Sequence, residues 1–103
     1  MKKSIVVATG ILALLSAGPL VAGDAAAGKA KSATCAACHG PTGISINPMW
    51  PSLAGQQEVY LAKQMTAFRD GARSDPMMGP MAAALSDADI ADLAAFYAAQ
   101  SCK

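Results

Sequence analysis

Residues 32–40, SATCAACHG, contain two of the three cysteines of the chain and its only histidine. Cys35 and Cys38 are three positions apart, and His39 follows the second cysteine directly. Two thiols at this spacing suit a redox disulfide, half of a metal site, or the attachment of a prosthetic group. The rest of the chain has to distinguish between these chemistries.

The first 23 residues predict export. Lys2 and Lys3 precede an apolar run over 5–15, the helix breakers Gly18 and Pro19 follow, and small residues come next. This order is typical of a secretory signal peptide. We expect cleavage after Ala22 or Gly23 and prefer Gly23, which leaves one domain, residues 24–103. The alternative is an uncleaved anchor, since 4–23 is nearly long enough to cross a bilayer.

The composition predicts one small domain that needs a cross-link. A core of this size gives marginal stability, and small exported domains usually add a disulfide, a metal or another covalent tie. The formal net charge is +1 over the whole chain, and the absence of a basic stripe argues against a nucleic-acid partner. Three cysteines are an odd number, so at least one is unpaired in the monomer.

Helical patterns account for the whole domain after residue 23. An Ala- and Lys-rich stretch predicts a helix over 25–37, with Gly28 inside it. Leu61, Met65 and Phe68 fall on one face of a second helix that Gly71 ends. Long Gly- and Pro-rich loops are predicted over 40–55 and 72–81. Loops of this length in a small domain are typical of chains that wrap a ligand.

A third helix begins near Ser86, which caps its first turn. Ile90, Leu93 and Tyr97 then line one of its faces. Nothing after residue 23 alternates as a strand does, so we predict an all-α fold with three main helices and two long loops.

The histidine after the second cysteine favours heme over the other chemistries. C-x-x-C-H is the attachment sequence of c-type heme. Each thiol adds to a vinyl group of the ring, and His39 lies where it can bind the iron. A thioredoxin-like site needs a βαβ context that is absent, a zinc site needs four ligands, and a disulfide within one helical turn has poor geometry.

A second axial ligand would most simply be a methionine, because the chain has no second histidine. Met65 belongs to a helix face and is expected in the core. The remaining candidates lie in loops: Met49 shortly after the histidine, Met77 and Met78 between Pro76 and Pro80, and Met81 directly after Pro80. Spacing alone does not choose among the last three.

The order of these motifs resembles a class I cytochrome c of the short bacterial periplasmic type. The resemblance rests on five stretches that cover the domain: GDAAAGKAKSATCAACHG, WPSLAGQ, YLAKQMTAFRDGAR, MMGPM and LSDADIADLAAFYAAQ. It implies the class I cytochrome c fold, with loops wrapped around one covalent heme c. It also implies that Gly28 marks the place where the first helix crosses the last one, at Phe96 and Tyr97.

The resemblance also assigns roles to individual residues. It makes Cys35 and Cys38 the thioether anchors and His39 the proximal ligand. The ligand methionine of such proteins stands seven residues before the Leu of the LSD stretch, which gives Met78, with Met81 and Met77 in reserve.

The WPSL stretch supplies three further residues near the heme. Pro51 would orient His39 through its carbonyl, and Leu53 would pack against the ring. Trp50 would donate to a propionate or pack beside the ring.

The function implied is electron transfer by a periplasmic carrier that is not an enzyme. Its partners would be an upstream reductase or dehydrogenase and a downstream oxidase of a respiratory chain. One alternative is a heme subunit fixed in a periplasmic dehydrogenase complex, and another is a ligand-sensing heme protein with an open coordination site. Cys102, beside the C-terminus, is either an unpaired thiol or the link in a disulfide-bonded dimer.

Overall fold

The computed structural model describes residues 3–5, 10 and 23–103. The predicted signal segment therefore lies almost wholly outside the described residues. Within 23–103 the fold consists of five helices and no strands, which confirms the all-α prediction. None of the described helices is both long and apolar enough to cross a membrane.

The predicted first helix is divided in two, which corrects the single helix expected over 25–37. Helix α1 spans Ala25–Lys31 and α2 spans Ala33–His39, with a turn at Ser32 between them. The Ser32 hydroxyl donates to the Lys29 carbonyl at 2.8 Å. Serine side chains compete in this way with the helical hydrogen-bond ladder, and this explains a break that composition alone did not predict.

The second and last helices follow the predicted signals. Helix α3 spans Glu58–Asp70 and ends at Gly71, whose φ of 81° is left-handed. Helix α5 spans Asp87–Ala98, and the side chains of Ser86 and Asp89 each accept from the other's backbone N–H in a capping box. A glycine stop and a serine cap are local signals, which is why both ends were predictable.

The predicted loop over 72–81 contains one more short helix, α4, at Met78–Ala82. Pro80 does not prevent it, because Pro80 lies in the first turn, where a backbone N–H has no helical partner to lose. The prediction of a loop over 72–81 was therefore wrong from Met78 onward.

The core forms where α1 and α3 pack against α5. Helix α1 crosses α5 at Gly28, where an added Cβ would lie 2.0 Å from the Asp92 carbonyl oxygen and 2.8 Å from the Phe96 Cβ. This confirms the crossing predicted at Gly28. The buried apolar cluster consists of Leu61, Leu93, Ala94, Phe96 and Tyr97. Helix α5 is thus the central element of the fold, and α2 continues from α1 into the candidate site.

Candidate functional site

Helix α2 presents all three residues of the C-x-x-C-H motif. Cys35 and Cys38 are free thiols and half-buried, while His39 is buried, with 6% of its surface exposed. Cys35 packs against the core cluster, and Cys38 lines a surface groove. The motif therefore lies at the boundary between the core and the surface.

A hydrogen bond fixes the orientation of His39. Its Nδ1 lies 2.7 Å from the carbonyl oxygen of Pro51. A carbonyl oxygen only accepts, so Nδ1 carries the hydrogen and donates it. Nε2 is then the nitrogen with a free lone pair, which is the form of a histidine that binds a metal. This contact is the one that the resemblance implies for Pro51.

The loop after α2 is held in place by its own backbone. Gly40 ends α2 with a φ of 85°, and the Gly43 carbonyl accepts from the N–H groups of Leu53 and Ala54 at 2.6 and 3.0 Å. Leu53 packs against the core cluster. The Gly55 N–H donates to the Tyr97 carbonyl at 3.0 Å, which ties the loop to α5. Pro51 is positioned opposite His39 by these bonds.

The groove beside Cys38 is apolar and uncharged. It has a volume of about 440 Å³, and Trp50, Pro48 and Ile46 are among its lining residues. Residues 32–57 contain no Asp, Glu, Lys or Arg. Trp50 thus lies on the same groove as Cys38.

The three candidate methionines of the second loop differ in exposure. Met77 is 53% exposed and Met81 48%, whereas Met78 is less exposed and begins α4. Met49 is 82% exposed. Met65 is half-buried and packs against the core cluster, which confirms its assignment to the core.

Asp75 holds the start of α4 and was missed by the sequence reasoning. Its Oδ1 accepts from the N–H groups of both Met77 and Met78, each at 2.8 Å. The bond from the Met78 N–H has the larger effect and that from the Met77 N–H the smaller, and together they lower the pKa of Asp75, so its carboxylate stays ionised. An Asp directly before a proline commonly starts a turn or a helix, so the Asp75–Pro76 pair was the available signal.

The residues of the site fit a covalently bound heme. Two free thiols on one helix, followed by a buried histidine whose Nδ1 is bonded to the Pro51 carbonyl and whose Nε2 is left for a metal, match the needs of a covalently attached ring with an iron at its centre. No group of three or more His, Cys, Asp or Glu side chains that could hold a bare metal ion occurs among the residues described.

The domain is all-helical, its C-x-x-C-H motif follows the first helix, and its last helix crosses the first helix. Together these features define a class I c-type cytochrome. The family model described as "Cytochrome c" matches residues 25–99. The chain therefore belongs to the cytochrome c family, as the sequence resemblance predicted. With one C-x-x-C-H motif, it carries one heme c, covalently bound, and it functions in electron transfer with redox protein partners.

Two relatives and one solved structure illustrate the range of sizes. The chain is 51% identical over 82 residues to cytochrome c-554(548) of Halomonas halodenitrificans, covering 77% of this chain and 99% of that one. It is 43% identical over 67 residues to a thiosulfate dehydrogenase electron acceptor of Stutzerimonas stutzeri, covering 62% and 31%. The crystal structure of reduced cytochrome c4 from Pseudomonas stutzeri superposes with a TM-score of 0.75 at 43% identity, covering 78% and 47%. The chain thus spans nearly all of the first protein but less than half of the other two.

Proposed function

We propose that this protein is a small periplasmic electron carrier whose heme is held by Cys35 and Cys38 and ligated by His39 and Met78. The bound heme supplies one-electron chemistry, cycling between ferric and ferrous iron. The observation that carries the proposal is the bond from His39 Nδ1 to the Pro51 carbonyl oxygen. It leaves the Nε2 lone pair of a buried histidine, next to two free thiols, available to bind an iron.

Met78 is the preferred second ligand on two grounds. It is the least exposed methionine of the loop, and the bonds that Asp75 accepts fix its backbone at the start of α4. A ligand sulfur has to be shielded from water and held in place, since a Met–iron bond is weak. With His39 and Met78 both bound, the iron would have no open position for a substrate, and we infer that the protein is not an enzyme.

Absorption spectra of the holoprotein and three variants test the ligand assignment. We expect a low-spin c-type spectrum with the weak far-red band of Met–iron coordination. Met78→Ala should lose this band, whereas the matched controls Met77→Ala and Met81→Ala should keep it. Loss of the band in one of the controls instead would move the ligand there. Absence of covalent heme after expression with a maturation system would refute the whole proposal.

The docking face is the uncharged segment 32–57 together with its groove. Ile46 is fully exposed, and Ile44 and Met49 are exposed beside it. Small redox proteins bind one another briefly and through small areas. Since this face carries no Asp, Glu, Lys or Arg, we infer that it meets its partners through apolar contact, with little electrostatic steering.

Residues 1–23 are proposed as a cleaved signal peptide that exports the chain. The backbone N of Asp24 lies 2.8 Å from Asp92 Oδ1, so cleavage after Gly23 would create an ammonium group next to that carboxylate. Gly23 itself packs closely on α5, since an added Cβ would lie 1.8 Å from the Ala91 carbonyl oxygen. Intact mass of the periplasmic protein distinguishes cleavage after Gly23 from cleavage after Ala22, and an unprocessed mass would contradict both.

A second candidate function is that of an electron acceptor bound to a dehydrogenase. It is favoured by the relative that is called a thiosulfate dehydrogenase electron acceptor. Purification of the tagged protein from its host under mild conditions distinguishes the two. A larger catalytic chain in constant stoichiometry would support the subunit, and recovery of the cytochrome alone would support the freely diffusing carrier.

Cys102 is the proposed link of a covalent dimer. Its thiol is free and its side chain exposed. Non-reducing electrophoresis of the air-oxidised holoprotein should then show a dimer that Cys102→Ser abolishes. A wild-type protein that runs as a monomer would contradict the dimer.

A further inference from the structure

The hydroxyl of Tyr97 is buried without a partner. Tyr97 is 1% exposed. Of the buried side-chain nitrogen and oxygen atoms in the described part of the chain, its hydroxyl oxygen alone forms no hydrogen bond. Buried hydroxyls are nearly always paired, because an unpaired one loses its bonds to water and gains none in return. The exception calls for a partner that the holoprotein supplies.

The ring of Tyr97 is packed against Phe96 and the backbone of Gly43. Its centroid lies 5.0 Å from that of Phe96. Gly43 approaches it from the loop so closely that an added Cβ would lie 2.8 Å from the Tyr97 Cδ1. The hydroxyl therefore cannot reach solvent by a simple rotation of the side chain. Whatever satisfies it has to lie near its present position.

Cys35 and Ser32 are the polar residues next to this hydroxyl. Burial, and after it the Cys35 thiol, raise the pKa of Tyr97 well above its ordinary value, so its O–H stays protonated and remains a donor. The Ser32 hydroxyl donates its hydrogen to the Lys29 carbonyl, so toward Tyr97 it can only accept, and no hydrogen bond joins the two side chains. Cys35 packs against the cluster that contains Tyr97.

Attachment of the heme changes what the Cys35 sulfur can do. The thiol adds across a vinyl double bond, so that a carbon–sulfur bond forms and the thiol hydrogen moves to the other vinyl carbon, with no net change of oxidation state. The sulfur that remains has lone pairs and no hydrogen. The thioether sulfur can therefore only accept a hydrogen bond. Between these two groups, the Tyr97 O–H has to be the donor.

We propose that Tyr97 is a positioning residue for the heme, whose hydroxyl donates a hydrogen bond to Cys35 Sγ once that sulfur is a thioether. This inference rests on the proposed function, because it takes Cys35 as a heme anchor. The bond would fix the side of the ring attached to α2 against α5. A hydrogen bond donated to the thioether sulfur also withdraws electron density from the heme through that sulfur. Hydrogen bonds to groups around a heme are one means of tuning its reduction potential, and this one would raise it.

Resonance Raman spectroscopy and redox titration of the holoprotein test the bond. Tyr97→Phe removes only the hydroxyl. We expect a shift of the thioether C–S stretching band and a lower reduction potential in this variant. Phe96→Leu disturbs the same core without touching a polar group, and it should move neither property. If Phe96→Leu reproduces both shifts, the effect is one of packing and the inference is wrong.

Two further measurements keep the test decisive. In the wild-type protein, exchange into D₂O should shift the C–S band, since an O–D group then donates to the sulfur, and this needs no variant to fold. Ser32→Ala should leave the band in place. A band that is insensitive to both D₂O and Tyr97→Phe overturns the inference, as does a Ser32→Ala variant that matches Tyr97→Phe. Covalent heme with an unshifted band refutes only this bond, whereas loss of covalent heme from the wild type refutes the proposed function.

Discussion

The contact between α1 and α5 at Gly28 predicts a large cost for a single added methyl group. In Gly28→Ala the new Cβ would lie 2.0 Å from the Asp92 carbonyl oxygen, 2.6 Å from the Asp92 carbonyl carbon and 2.8 Å from the Phe96 Cβ. The first two are backbone atoms of a helix and cannot turn aside. The two helices therefore have to move apart by at least about 1 Å to restore ordinary van der Waals contact.

The expected magnitude follows from two opposing terms. Overpacking a well-filled contact costs about 1–3 kcal/mol, and this contact is near the upper end because rigid backbone is involved. Alanine in place of glycine within a helix contributes about 1 kcal/mol in the other direction. The free energy of unfolding should therefore fall by about 2 kcal/mol. In a domain of this size such a loss lowers the Tm by roughly 8–16 °C.

Denaturant unfolding of the holoprotein, followed by far-UV circular dichroism, measures the change. Gly79→Ala is the matched control, because Gly79 lies in α4, has no positive φ and has nothing within 4 Å of an added Cβ. We expect the control to unfold at the wild-type concentration or slightly above it. If Gly28→Ala is as stable as Gly79→Ala, then α1 does not cross α5 at the described distance, and the account of the core is refuted.

Three further predictions concern the core, the acid limit and the docking face. Leu93→Ala should lower the free energy of unfolding by about 2–5 kcal/mol in urea titrations, because Leu93 is fully buried. The control Val59→Ala changes an exposed side chain and should alter that free energy by less than about 0.5 kcal/mol. The pKa of Asp89 is lowered to about 2 by its backbone bond to Ser86 and then by Lys31. The stability that the Asp89 carboxylate contributes is therefore present above about pH 4 and is lost as the pH falls toward about 2. The difference in the free energy of unfolding between wild type and Asp89→Asn should shrink between these two pH values. The rate of electron self-exchange, measured by NMR line broadening, should change less than about threefold between 50 and 500 mM salt. Ile46→Glu should lower this rate and make it depend on salt. A steep salt dependence in the wild type would contradict an uncharged docking face.

Local signals in the sequence predicted most of the helix ends, and contacts between distant residues explain what it did not predict. Gly71 and Ser86 act through their own backbone and side chain, so their patterns were sufficient. The break at Ser32 depends on the hydrogen bond that its hydroxyl donates to the Lys29 carbonyl, and composition does not indicate that this bond forms. The helix at Met78–Ala82 depends on Asp75, whose carboxylate binds two N–H groups across Pro76.

The site shows the same division. Cys35, Cys38 and His39 were recognised together because their spacing is fixed by one turn of a single helix. The contact between His39 and Pro51 joins residues twelve positions apart through a main-chain oxygen, which has no side-chain signature. Only the resemblance to a known family implied it. The unpaired hydroxyl of Tyr97 had no signal at all, since tyrosine on the buried face of a helix is ordinary and its missing partner is a property of the fold.

The distribution of charge separates the two tasks of this small domain. Among the described residues, ion pairs link the helices: Lys31 binds Asp89 and Asp92 where α1 meets α5, and Arg69 binds Asp87 between α3 and α5. These contacts tie helices to one another at the surface. The segment 32–57, which holds the heme-binding motif and the groove, has no Asp, Glu, Lys or Arg. Charges close to the iron would alter its potential and would have to be desolvated each time a partner docks. A carrier that binds briefly and releases quickly is served by an apolar, uncharged face around its cofactor, with the charges that stabilise the fold placed elsewhere.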